Sequence, residues 1–217
     1  MNPLKGLRLA FLGCSFFAAD SSAGIISFGE FDENLSIQSE SFERTNTPIN
    51  GELATQQFSD NGLNFRYNSG FPVSLFNNAY CLPSEGSVSG ESYIGIGVST
   101  TCRTSRSVSS ASVLFDYQIS AFSFDYSVVV DSPFRFELFA DGNLVRDVAL
   151  TLLSDRQAEY EVFSNISFDE VRFIEGTGYE SLWVDNFRWQ GVPVSAPAMG
   201  GLFLLSMGIF LFRRKRP

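Results

Sequence analysis

Along much of this chain, apolar and polar residues alternate with a period of two, and helical periodicity is scarce. Phe122, Phe124 and Tyr126 fall on one face of an extended segment, and Phe134, Phe136 and Leu138 on one face of the next. Ile94, Ile96 and Val98 alternate with Tyr93, Gly95 and Gly97. After Phe134–Leu138, the run Ala140, Asp141, Gly142 and Asn143 supplies a turn with Asp-Gly at its centre. The pattern predicts strands over 25–31, 63–67, 93–98, 112–117, 121–129, 134–140, 157–163, 166–174 and 181–190. Their spacing suits an all-β fold, an antiparallel β-sandwich or jelly roll. Residues 68–106 are rich in Gly, Ser, Asn and Thr and read as long loops around one or two strands. The two tryptophans, Trp183 and Trp189, share strand parity with Asp185 and Phe187, which places all four on one face, read as core.

Composition narrows the chemistry. The 217 residues hold 23 Phe and no His. The apolar content is enough for a packed core. The missing histidine excludes Ser-His-Asp and Cys-His catalysis and every His-ligated metal site. Lys5 and Lys215 are the only lysines, so neither a Schiff-base lysine nor a P-loop lysine lies in the body. From residue 24 to 211, nine Arg face 23 Asp plus Glu, a balance near −14 that repels phosphate backbones. Nucleic acid is therefore not an expected partner. No motif supports catalysis, and adjacent carboxylates such as Asp32-Glu33 and Asp169-Glu170 point to opposite faces of a strand. The body is read as non-enzymatic, with a carboxylate-dependent glycosidase as the least favoured alternative.

Both ends have the form of processing signals. Lys5 and Arg8 precede an apolar run from Leu9 to Ala19, and Ser21 and Ala23 provide small side chains for cleavage before Gly24. Residues 1–23 thus read as a secretory signal peptide, with Cys14 offering a lipoprotein alternative. Residues 24–190 are the expected sandwich domain. At the other end, Val192, Pro193, Val194, Ser195, Ala196 and Pro197 precede a 15-residue apolar stretch, 198–212. As a helix that stretch covers about 22 Å, short of a hydrocarbon core of about 30 Å. Arg213, Arg214, Lys215 and Arg216 follow and would hold this end on the cytoplasmic side, leaving the body outside.

This tripartite tail, residues 191–217, resembles the PEP-CTERM sorting signal of Gram-negative bacteria: a Pro-containing motif, a short apolar helix and an Arg-rich end. The central Glu of the namesake motif is missing, so the Val192–Pro197 motif is a variant. The resemblance implies handling by an exosortase, a membrane transpeptidase-like cysteine enzyme, and a link to exopolysaccharide or biofilm matrix. It implies export across the inner membrane, a membrane-anchored precursor, and delivery to the cell envelope or extracellular matrix. A plain single-span anchor is the alternative.

After signal removal Cys81 and Cys102 remain, and an even count in a secreted chain suggests a disulfide, with two free thiols as the alternative. It would close a loop of about 20 residues and add roughly 3 kcal/mol. The first strand runs into Phe28, Gly29, Glu30, Phe31 and Asp32, and the last contains Trp183, Val184, Asp185, Asn186 and Phe187. This pairing of ends resembles the galactose-binding-like jelly rolls, which include carbohydrate-binding modules. The resemblance implies a structural calcium ion held by Asp185 with Glu30 or Asp32, completed by backbone carbonyls. Without a cation, Asp185 and Asn186 would hydrogen-bond neighbouring backbone. Exposed flat aromatics beside polar groups could bind glycan, and Tyr67, Tyr80, Tyr93, Tyr179 and Trp189 are the candidates. A calcium-stabilised carbohydrate-binding module acting on matrix polysaccharide is accordingly the second functional reading.

Overall fold

The computed structural model describes residues 24–43, 51–52, 57–77, 92–99, 103, 107–128, 131–153, 159–162, 166–176 and 181–192. Residues 1–23, expected to be a signal peptide, and Tyr80, Cys81, Cys102, Tyr179, Pro193–Pro197, the apolar stretch and the basic end all lie outside these residues. The described chain is all-β. Its strands are β1 (Gly24–Phe28), β2 (Gln38–Glu40), β3 (Gly51–Glu52), β4 (Leu63–Ser69), β5 (Ser74–Asn77), β6 (Ser92–Ile96) and β7 (Ser110–Val128). They continue with β8 (Ser132–Ala140), β9 (Asn143–Leu152), β10 (Glu159–Val162), β11 (Phe168–Glu175) and β12 (Leu182–Gly191). One turn of 3-10 helix, Ser59–Asn61, precedes β4. Among the described residues, no helix is long and apolar enough to cross a membrane.

All twelve strands belong to one hydrogen-bonded sheet, antiparallel except for the β1–β10 pair. The sheet curls because β7 is shared by two layers. Its first half, residues 110–115, lies between β4 and β11. Its second half, residues 122–126, lies between β1 and β12. The first layer therefore runs β4-β7-β11-β8-β9, and the second β10-β1-β7-β12-β6-β5-β3, with β2 also on β12. Sequence reading split β7 into two strands around Gln118 and Ser120. In the structure Ile119 between them is buried and pairs with both Phe168 and Gly191, so the ladder continues through the expected break.

Phenylalanine fills the space between the layers. Phe28 on β1 meets Phe136 on β8 at 5.6 Å between ring centroids. Phe124 meets Phe173 at 5.3 Å, and Phe122 meets Phe187 edge-on at 5.0 Å. Such edge-to-face pairs each add about 0.5–1.5 kcal/mol beyond the burial of the rings. Phe122, Phe124, Tyr126, Phe134, Phe136 and Leu138 are all buried in this core, as their alternation requires. The hairpin from β8 to β9 turns at Asp141 and Gly142, both with positive φ (50° and 76°). That is the geometry of a two-residue type I′ turn, which Asp-Gly adopts readily.

The last strand departs from the expected parity. Asn186 has φ 48°, and the register slips between Asp185 and Arg188, where three residues of β12 span two of β7. This bulge turns the strand over. Leu182 and Val184 before it, and Phe187 and Trp189 after it, face the main core. Trp183 instead packs with Phe76, Tyr93 and Val98 in a second cluster. The four residues expected on one face are divided between two. At the same bulge the outer neighbour of β12 changes from β6 (residues 182–184) to β2 (residues 187–189).

Candidate functional site

The calcium ligands expected from the sequence are not assembled. Asp185 lies opposite Asp125, which pairs in turn with Ile25. Asp32 belongs to the turn after β1. There Gln190 accepts a bond from the Asp32 N–H (2.7 Å) and donates its amide to the carbonyls of Asp32 (2.7 Å) and Leu35 (3.2 Å). Gln190 lies opposite Ala121, four residues along β7 from Asp125, or about 13 Å at 3.3 Å per residue. The Asp32 carboxylate is exposed and accepts bonds from the Asn34 N–H (2.9 Å) and side-chain amide (2.8 Å), which lower its pKa. Glu30 is also exposed. Among the described residues no group of three carboxylates or thiols is spaced to hold a metal. The residues present do not fit the shared-calcium arrangement.

Asp185 is nevertheless unusual. It is 0% exposed. One oxygen accepts the Asn186 backbone N–H at 2.7 Å, and Oδ2 has no hydrogen-bond partner. Burial pushes its pKa up to about 8; the Asn186 N–H works against this, and the charges of Asp125, Glu43 and Glu40 add to it. Burial also raises Asp125, opposed by the Asn186 side-chain amide (2.7 Å) and the charge of Arg188. The Asp-Asn bulge therefore sets two carboxyl groups side by side, both raised by burial.

The outer face of the first layer carries an ionic ladder that sequence reading did not find. Glu170 on β11 accepts bonds from Arg66 on β4 (2.5 Å), Ser112 on β7 (2.7 Å) and Arg172 (3.3 Å). Arg172 also reaches Glu137 on β8 (3.2 Å) and lies 4.2 Å over the Phe139 ring. Arg135 bonds Glu137 and reaches Asp147 on β9 at 3.2 Å. Burial alone would raise the Glu170 pKa, but the bonds from Ser112 and Arg66 and the charges of Arg66 and Arg172 hold it below the usual value. Its neighbour Asp169 points elsewhere, accepting from Gln118 (3.1 Å) and the Asp141 N–H (3.1 Å). The two acids do not form a working pair.

Of the tyrosines named from the sequence, Tyr67 is 51% exposed on β4 and donates its hydroxyl to the Gly70 carbonyl at 3.0 Å. Tyr93 is fully buried between Phe76 (5.9 Å) and Trp183 (6.4 Å), and burial raises its pKa. It is a core residue and offers no platform.

A groove of about 490 Å³ opens at the other end of β12. It is lined by Gln38 and Ser39 of β2, Asp60 and Asn61 of the 3-10 turn, Gly62 after it, Tyr117 of β7, and Trp189. Tyr117 is 39% exposed, whereas Trp189 is buried and its indole Nε1–H has no hydrogen-bond partner. The Asn61 amide is oriented by donating to Glu40 at 2.7 Å, which leaves its carbonyl oxygen as an acceptor. Of these residues sequence reading had named Trp189 alone, because the parts come from four separate segments that meet through the pairing of β2 with β12. Comparison with family models, characterised proteins and solved structures finds no match to this chain.

Proposed function

We propose that the protein is a non-enzymatic, secreted β-sandwich sorted to the cell envelope or extracellular matrix by its C-terminal tail. The observation that carries this reading is the order of the tail: the Val192–Pro197 motif, a short apolar stretch and a basic end, in a chain that opens with a secretory signal. The body is compatible with such display. Strand β12 ends at Gly191, directly before the motif. The Val192 N–H donates to the Gln118 carbonyl at 3.2 Å, which fixes the point where the tail leaves the sheet. A membrane exosortase-type enzyme is the processing partner, and matrix polysaccharide the surroundings of the mature protein.

Transplantation of the tail tests this. Residues 192–217 appended to an unrelated secreted reporter are expected to deliver it to the envelope or medium in shortened form. That shortening should require an exosortase-type enzyme in the host. A reporter that stays full-length in the inner membrane with the enzyme present would overturn the reading.

A further inference from the structure

We propose that the groove between β2, the 3-10 turn and β7 is a binding site for a neutral saccharide. The proposal is independent of the sorting reading and uses none of the tyrosines singled out from the sequence. Three features carry it. The groove is open to solvent, and its volume, about 490 Å³, lies in the range of small-molecule sites. The lining combines one part-exposed aromatic ring, Tyr117, with an amide, a hydroxyl and a carboxylate from Gln38, Ser39 and Asp60. This is the pairing a pyranose needs, since its C–H face packs on a ring while its hydroxyls exchange hydrogen bonds around the rim. The third feature is unused hydrogen-bonding capacity. The side chains of Gln38, Ser39 and Tyr117 make no hydrogen bond among the described residues, and the Asn61 carbonyl is left over.

Charge selects among ligands. Among the described residues no Lys or Arg lines the groove, and the body is already near −14, so phosphorylated or uronic-acid ligands are disfavoured. The position is rigid: Trp189 is held by the β7 and β2 ladders, and Tyr117 sits on β7 against Gly191.

The test is an NMR titration of the protein recovered from its host, using neutral hexose oligosaccharides (gluco-, galacto- and manno-configured) and a uronic-acid oligomer. The chain has two tryptophans and so two indole N–H signals. The signal of Trp189 is expected to shift with at least one neutral oligosaccharide, and that of Trp183 to stay in place. The uronic-acid oligomer should move neither. Tyr117→Ala should weaken binding by about tenfold or more, and the surface change Gln38→Ala by about three- to tenfold, in line with one lost packing surface and one lost hydrogen bond. No shift of the Trp189 signal with any neutral oligosaccharide, preference for the acidic one, or unchanged binding in Gln38→Ala and Tyr117→Ala would each overturn the proposal.

Discussion

Replacing Asp185 by Asn should stabilise this protein at neutral pH and leave it unchanged in acid. The argument follows from linkage. Asp185 is fully buried, has one unpartnered oxygen and faces Asp125, and its pKa rises from an ordinary 3.8 to about 8. Below pH 3.8 the acid is protonated in both folded and unfolded chains and contributes nothing. Above pH 3.8 the unfolded chain releases the proton while the folded one keeps it, so stability falls as pH rises and levels off above about 8. At pH 7 the gap from 3.8 corresponds to at most about 4 kcal/mol, and partial relaxation brings the expected gain of Asp185→Asn to about 2–4 kcal/mol. The amide keeps an oxygen for the Asn186 N–H and removes the ionisable proton. The assay is guanidinium unfolding of wild type and variant at pH 4, 5.5, 7 and 8.5. Subtracting one curve from the other isolates Asp185 from the remaining carboxylates. The difference should grow from near zero to its plateau across this range. A variant less stable than wild type at pH 7 would refute the reasoning. It would mean that Asp185 is ionised and held by a cation, and EDTA would then destabilise the wild type as well.

The ionic ladder has the opposite sign. Glu170→Gln should cost about 1–2 kcal/mol at pH 7, since Arg66 and Arg172 are partly exposed and screened. Because the folded pKa of Glu170 lies below its ordinary 4.5, that difference should vanish as pH falls through the acid range, as acid unfolding curves of the two proteins would show. Gly29→Ala should destabilise by more than about 2 kcal/mol in thermal unfolding. Gly29 has φ 80°, and an added Cβ would stand 2.2 Å from the Ser120 carbonyl oxygen in the middle of β7. Phe136→Ala should cost about 3–5 kcal/mol, because its ring joins Phe28, Phe124 and Phe173 across the two layers.

The core strands were readable where alternation ran unbroken. Residues 122, 124 and 126 and residues 134, 136 and 138 point inward as their spacing requires, and the Asp141-Gly142 turn follows from two residues that tolerate positive φ. Reading failed at irregularities. Strand β9 was missed because the register slips between Leu138 and Phe139, so its part-buried residues, Val145, Val148 and Leu150, do not keep one parity. The Asn186 bulge likewise reversed half of β12, and an Asp-Asn pair inside an apolar strand was the available sign of it. Long-range pairing was illegible for a different reason. Nothing local in residues 38–39 or 60–62 reports that they border Trp189, so the groove exists only once the sheet has curled. The ionic ladder has the same origin, drawing on β4, β7, β11, β8 and β9.

The sorting claim is tested most directly by the intact mass of the protein recovered from its native host, with both ends mapped. The account expects a chain that begins near Gly24 and ends between Pro193 and Pro197. A chain that still carries residues 198–217 would contradict it, and would make the tail a plain membrane anchor.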